Sequence, residues 1–275
     1  MWLESCAPAR ALPAFVPARF VPHPDPERTL AELTSFAPHA TVFLDAAALD
    51  PELLAGTPGA TLGVLVAGAD GAGAARGLDR VNRLASFRPA LTGRAVGRSE
   101  LWRAIPPPVS DLHFADVAPL HHEPQAISIG RSTPHREAML TPAKHHHDLL
   151  QVIHGVSGEP LRELMSECDV GVYVGAEPGG DFGPQVGMHL ASGQLLLADA
   201  LLPEHGLERN IDYLQVESPD GLKWVLDRLR RFPEMHHRIR VRGRLKAEQY
   251  RASRLFARLT HDLLADLAAF GPGRV

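Results

Sequence analysis

Short, almost wholly apolar segments alternate with segments of helical periodicity through the second half of this chain. Strands that are apolar on both sides are buried on both faces, and such strands are typical of parallel sheets covered by helices. The pattern therefore predicts an α/β fold with a parallel sheet. The predicted strands are 126–129, 149–153, 169–174, 194–198 and 213–216, and the predicted helices are 136–140, 159–168, 184–191, 220–232 and one or two within 235–269.

The first half of the chain shows the same alternation in a shorter form, and it ends at three consecutive prolines, 106–108. Consecutive prolines favour an extended, semi-rigid spacer. We therefore predict two Rossmann-like lobes, 1–108 and 109–275, with the first lobe shortened; a surface loop within one domain is the alternative explanation of the prolines. The first lobe has predicted strands at 40–44, 61–67 and 81–91, predicted helices at 26–36, 49–55 and 99–104, and a glycine-rich loop at 68–77.

Charge and composition exclude several classes of protein. The formal net charge is −4, which gives no electrostatic reason to expect nucleic acid or an anionic membrane as the main partner. No apolar run reaches the roughly 20 residues of a membrane span. Two cysteines are too few for a disulfide framework, and the first ten residues lack the pattern of a secretory signal. We therefore expect a cytoplasmic protein.

Ligands of open parallel sheets bind outside the carboxyl ends of the strands, which nominates four loops of the second half. These loops are 130–135, 154–158, 175–185 and 198–205. The third, GAEPGGDFGPQ, contains four glycines and opens directly onto a predicted helix. Glycines let the backbone approach a ligand, and the N-terminus of a helix offers free N–H groups. The loop therefore suits a diphosphate, although a plain glycine-rich turn is the alternative interpretation.

The segment 169–200, DVGVYVGAEPGGDFGPQVGMHLASGQLLLADA, resembles the donor-site segment of group 1 glycosyltransferases, which have the GT-B fold. The strand, Phe182-Gly183 and the later strand 195–198 match that family in order and spacing. The upstream segment, with its opening ISIGRSTPHR, is most similar to the CgeB-type subset. The resemblance covers residues 124–265, whereas 28–110 fit loosely as a shortened acceptor lobe. It implies transfer of a sugar from a nucleotide-sugar donor to an unknown acceptor, without a cofactor.

The resemblance also implies roles for individual residues. A basic residue after the first donor-lobe strand contacts the diphosphate in this family, which implies that role for Arg131, with Lys144 as a second candidate. His154 opens a strand-end loop and is a candidate contact for the base; a hydrogen-bonded structural histidine is the alternative. Asp45, at a strand end of the first lobe, is the candidate general base. The remaining predicted donor-binding residues lie in the glycine-rich loop and are Glu177, Asp181, Phe182, Gly183, Pro184 and Gln185.

The chain departs from the family at a glutamate pair, E-x7-E, whose second member contacts the donor ribose. The second position here is Met188, and the first falls at Gly180 or Asp181. A methionine does not accept hydrogen bonds from hydroxyls in any useful way. Either the donor is held differently, or the chain is a catalytically inactive binding or scaffolding protein of the same fold.

Two other functions are weaker hypotheses. Three consecutive histidines, 145–147, suggest a metal site, but neighbouring residues on a regular element point in different directions and seldom bind one ion together. We therefore predict no metal site. A Rossmann-type dehydrogenase is also disfavoured, because no G-x-G-x-x-G follows the first strand of either half.

Overall fold

The computed structural model describes residues 25–66, 77–87 and 101–272 of the 275-residue chain. These residues form two compact units. The larger is described over 107–254, and the smaller comprises described residues within 12–106 together with the chain from Leu255 onward. The predicted glycine-rich loop lies, over 68–76, outside the described residues, as do 88–100.

The smaller unit is built on a four-stranded parallel sheet in the order β1-β2-β3-β4. Its last two strands are tied to the C-terminal helix by ion pairs from Arg83 to Asp266 and from Arg103 to Asp262, both at 2.6 Å. Its elements before the helix are α1 Pro26–Phe36, β1 Ala40–Leu44, α2 Pro51–Gly56, β2 Ala60–Leu65, β3 Arg83–Ser86 and β4 Arg103–Ala104.

The helix predicted at 99–104 is wrong over its described part, which contains strand β4. The backbone N–H groups of Trp102 and Ile105 donate to the carbonyls of Leu84 and Ser86 on β3. These long-range hydrogen bonds hold the segment extended. A local sequence pattern contains no information about them.

The larger unit carries a five-stranded parallel sheet in the order β6-β5-β7-β8-β9. The predicted α/β class is therefore confirmed. The elements are β5 Ala126–Ile129, α3 Pro134–His147, β6 Leu150–Val152, α4 Glu159–Ser166, β7 Val170–Tyr173, α5 Pro184–Ala191, β8 Leu195–Ala198, β9 Leu214–Gln215, α6 Pro219–Arg231, α7 His237–Ala247 and α8 Ala252–Phe270, of which α8 continues into the smaller unit.

The central strands of the larger sheet, β5, β7 and β8, are buried on both faces, as their apolar sequences predict. The edge strands β6 and β9 are partly exposed. On β7, Val170 and Val172 pack into one core with residues of α3 and α6, while Tyr173 packs into the other core with residues of α4 and α5. Gly171 lies between Val170 and Val172, and the ring of His189 on α5 packs against it. A Cβ at position 171 would overlap that ring. Among the described residues, none of the helices combines the length and the apolar character that a membrane crossing requires.

The helix predicted at 136–140 is too short, because α3 continues through Pro142 to His147. Proline lacks the N–H of an internal helical hydrogen bond and normally ends or kinks a helix. Tertiary packing holds the last turns here, since Ala143 and His147 are buried and α3 packs along α6. The region 235–269 forms α7 and α8, joined by a 3₁₀ turn at Glu248–Tyr250.

Candidate functional site

The loops that follow β5, β7 and β8 are joined at the carboxyl edge of the larger sheet by one buried carboxylate. Asp199 Oδ2 accepts hydrogen bonds from the backbone N–H of Gly175 at 3.0 Å and from His135 Nε2 at 3.3 Å. Asp199 is only 8% exposed, and this burial raises its pKa despite the two donors, which act in the opposite direction. Asp199 thereby links the start of α3, the loop after β7 and the end of β8.

The first turn of α3 is bonded to the loop after β7 by two further side chains. Thr133 Oγ1 donates to the carbonyl of Ala176 at 2.8 Å. The Arg136 guanidinium donates from Nε to the carbonyl of Val174 and from Nη1 to the carbonyl of Arg131, each at 2.8 Å. A half-buried cation is therefore fixed between two of the predicted ligand-binding loops.

The glycine-rich loop is organised by Tyr173 at the end of β7. The Tyr173 hydroxyl donates to Asp181 Oδ2 at 3.2 Å and accepts from the backbone N–H of Gly183 at 2.8 Å. Burial raises the pKa of Tyr173, so the hydroxyl keeps its proton and can serve both bonds. Asp181 Oδ1 also accepts from the N–H of Phe182 at 2.8 Å. These contacts fix the backbone that leads into α5.

Helix α5 begins at this loop without a side-chain cap. Its N-cap residue is Gly183, and Pro184 occupies the first helical position. The first-turn N–H groups of a helix lack intrahelical partners, and they carry the positive end of the helix dipole. A capping side chain would satisfy one of them, and Gly183 supplies none. Pro184 has no N–H, and the N–H of Gly183 donates to the Tyr173 hydroxyl. The N–H of Val186 donates to the Gly183 carbonyl, so Gln185 supplies the first-turn N–H that can bind an anionic group.

Most of the predicted donor-binding residues lie around this edge, but their exposure differs. Arg131, His154 and Glu177 are exposed in the loops after β5, β6 and β7. Phe182 is buried and packs edge-on against His205, with ring centroids 4.8 Å apart, so it supports the loop from inside. Gln185 is half-buried in the first turn of α5.

Lys144 and Asp45 are the two remaining predicted site residues. Lys144 stands in the last turn of α3, and its Nζ donates to Glu137 Oε2 at 2.7 Å. This bond, with a second from Ser132, lowers the pKa of Glu137 to about 2. Asp45 belongs to the smaller unit, where it follows β1 in a left-handed conformation. The proposed roles of both residues stay predictions.

Met188 faces a protein core. It is 5% exposed and belongs to the core that includes Val109 and Tyr250. The neighbouring Gly187 brings the helix so close to Val109 that a Cβ at 187 would be 2.6 Å from Val109 Cγ2. Position 188, where group 1 glycosyltransferases carry the ribose-binding glutamate, is therefore buried in this protein.

Sequence reasoning missed three residues that organise the site, namely Tyr173, Arg136 and Asp199. Arg136 belongs to the quoted ISIGRSTPHR opening, and Asp199 to a nominated loop. Tyr173 and Asp199 stand at strand ends, which is a signal, whereas Arg136 lies in the first turn of α3. The partners of the three side chains lie between 5 and 64 residues away, and the fold brings the distant ones together.

The three consecutive histidines diverge. His147 is buried with Nε2 3.4 Å from Asp227, whereas His145 and His146 are exposed. Within the described ranges, no group of three or more His, Cys, Asp or Glu side chains could hold a metal ion.

Two buried histidines, His189 on α5 and His113 in the turn Asp111–His113, make the free energy of unfolding dependent on pH. Burial lowers the pKa of both His189 and His113 to about 4. The carboxamide of Gln194 donates to the carbonyls of Met165 and Cys168, so its oxygen accepts from His189 Nδ1 at 2.6 Å. His189 is therefore a neutral Nδ1–H tautomer.

We expect the free energy of unfolding to fall as the pH drops from about 6.5 to about 4, because the unfolded chain then binds protons that the folded chain excludes. Each histidine contributes up to roughly 3 kcal/mol of this loss. Urea unfolding across that pH range measures it. His113→Leu should flatten the dependence, and an unchanged slope would contradict the assignment of His113.

The sequence matches no protein-family model, and no curated protein is significantly similar to it. Many solved structures are similar to its fold. They include HepE from Anabaena in complex with UDP-glucose (11% identity, TM-score 0.59, covering 88% of this chain and 82% of HepE), sucrose-phosphate synthase from Thermosynechococcus elongatus (14%, 0.54, 92% and 82%) and TarM (13%, 0.51, 85% and 57%).

At these identities the likeness concerns the fold. Its architecture, two parallel sheets with helices, is that of GT-B glycosyltransferases with their two Rossmann-like lobes. The predicted GT-B-like fold is therefore confirmed.

Proposed function

We propose that the chain is a glycosyltransferase that moves a sugar from a nucleoside-diphosphate sugar to an acceptor. The observation that carries the proposal is the convergence at the carboxyl edge of the larger sheet. There, Arg136 and Asp199 bind together the loops after β5, β7 and β8, beside the uncapped start of α5. Fixed donors of this kind suit the diphosphate of a nucleotide sugar.

In the proposed reaction, the bond between the anomeric carbon and the diphosphate oxygen breaks while an acceptor hydroxyl bonds to that carbon. The diphosphate leaves with the electron pair and gains negative charge. The Gln185 N–H at the start of α5 and the Arg136 guanidinium stabilise that charge, because the fold holds them in place before the reaction begins. Arg131 adds a second, exposed cation. The acceptor's proton passes to a base, for which Asp45 stays the candidate. We expect no metal or other cofactor to be required.

The structural neighbours suggest the first donor to test. The Anabaena HepE structures contain UDP or UDP-glucose. We therefore propose a uridine-diphosphate sugar as the first candidate donor. We also propose that the chain is most similar to CgeB-type enzymes and that it is located in the cytoplasm.

A catalytically inactive nucleotide-binding protein is the second candidate, and the absence of a glutamate at position 188 is the observation that favours it. Without the helix glutamate, the ribose needs another partner. Gln185 lies three residues earlier, on the same side of α5, and its partly exposed carboxamide can accept from ribose hydroxyls. Donor hydrolysis or transfer separates the two candidates, because both bind nucleotide and only the first cleaves it.

Nucleotide binding is tested by thermal unfolding with UDP, GDP and ADP, using the matched nucleosides as controls. We expect one diphosphate to raise the Tm by about 5 °C at roughly a hundredfold excess over its Kd. The nucleosides should have little effect, since the site binds the phosphates. A panel in which no diphosphate shifts the Tm at millimolar concentration would overturn the proposal.

A further inference from the structure

Exposed apolar side chains and arginines without an ion pair follow one another along the described chain from α6 into α7. Trp224 is 55% exposed, Phe232 57% and Met235 45%. We call this surface the α6–α7 corner and define it by Trp224, Arg228, Arg230, Arg231, Phe232, Met235 and Arg238.

The arginines of the corner have no carboxylate partner among the described residues. The Arg228 guanidinium lies 4.8 Å from the centre of the Trp224 ring, and its Nε is buried without a hydrogen-bond partner. Arg230 reaches only the carbonyl of His146, at 3.5 Å. Later cations of α7 are paired instead: Arg242 with Asp212, Arg244 with Glu248 and Lys246 with Asp212.

The two acidic residues nearest in sequence lie beside histidines, and neither forms an ion pair with the arginines of the corner. Asp227 lies 3.4 Å from His147, and Glu234 lies 3.6 Å from His237. Cations in the last turn of a helix do complement the helix dipole. That effect accounts for arginines at the end of α6, but it does not account for three large apolar side chains in solvent beside them.

The corner lies at the edge of the larger sheet opposite the strand-end loops. Arg240, two residues after Arg238, donates to the carbonyl of Gly193, just before β8 begins. Arg230 contacts the carbonyl of His146, just before β6 begins. A partner bound at the corner would therefore leave the candidate ligand edge of this unit uncovered.

We propose that the α6–α7 corner adsorbs to an anionic lipid surface. Arginines attract acidic headgroups, and neighbouring Trp, Phe and Met side chains gain by entering the headgroup–acyl boundary. Phe232 and Met235 have no polar group for base-edge recognition, which favours a lipid surface over nucleic acid. The net charge of −4 belongs to the whole chain, whereas the corner carries a local surplus of cations. The proposal does not depend on glycosyl transfer.

Vesicle sedimentation of the full chain tests the proposal. We expect binding to vesicles of phosphatidylcholine with phosphatidylserine, little binding to phosphatidylcholine alone, and weakening with added salt. The double variant Arg230→Glu/Arg231→Glu should weaken binding at least tenfold, since each surface cation contributes roughly fivefold. Phe232→Ser/Met235→Ser should also weaken it. Matched controls are Arg258→Glu and Phe270→Ser, which change an exposed arginine and an exposed phenylalanine on α8.

Circular dichroism of each variant shows whether it is folded, and only folded variants are compared. Absence of binding to phosphatidylserine vesicles at low salt would overturn the proposal. Equal losses in corner and control variants would also overturn it, because the attraction would then belong to the whole chain. Binding of a labelled oligonucleotide that the corner variants abolish, without vesicle binding, would identify a nucleic-acid surface instead.

Discussion

Replacing Arg136 with alanine is expected to weaken nucleoside-diphosphate binding by roughly ten- to a hundredfold, the effect of losing charge-assisted hydrogen bonds. The guanidinium holds the carbonyls of Val174 and Arg131 at once, so alanine removes one of the links between the loops after β5 and β7. It also removes a cation from the start of α3. Isothermal titration with UDP, or with whichever diphosphate raises the Tm, measures the loss.

Two further variants separate these contributions. Arg136→Lys keeps the charge, but its single ammonium group cannot reproduce the guanidinium's fixed pair of donors, so we expect an intermediate loss. Arg131→Ala removes an exposed side chain while leaving the carbonyl that Arg136 holds. It should weaken binding without changing the free energy of unfolding. A folded Arg136→Ala protein with unchanged affinity would show that the diphosphate binds elsewhere.

The segment from β7 to β8 shows what the sequence alone could predict. Its strands are wholly apolar, and Pro184 at the first helical position marks the start of α5, so the boundaries of that helix were predicted correctly. Short-range pattern and turn chemistry are sufficient there. They also located the glycine-rich loop at the carboxyl edge of the sheet, where the hydrogen bonds of Tyr173 and Asp199 are found.

The errors occurred where distant contacts override local preference. Strand β4 has two residues and is extended because β3 provides partners for the backbone around it. Helix α3 passes Pro142 because α6 packs along it. The position of Asp199 in a nominated loop was visible in the sequence, but its partners were not, since His135 and Gly175 reach it from other strand-end loops.

Met188→Glu is expected to destabilise the fold by about 3 kcal/mol or more, because the carboxylate would be buried without a partner. The position is 5% exposed and lies in an apolar core. Met188→Leu, a nearly volume-conserving change, should cost less than about 1.5 kcal/mol and serves as the matched control. Urea unfolding at pH 7 measures both.

The outcome bears directly on whether the missing glutamate implies a loss of function. If Met188→Glu is strongly destabilised, this face of α5 is closed by the segment at Val109, and a glutamate there could not reach a ribose. Methionine would then be an adaptation of the core, and the ribose contact would fall to Gln185, one turn closer to the start of the helix. Gln185→Ala should then reduce the affinity for UDP while leaving that for inorganic pyrophosphate unchanged. A stable Met188→Glu protein that binds UDP more tightly would contradict this explanation, because the face would have to open to solvent.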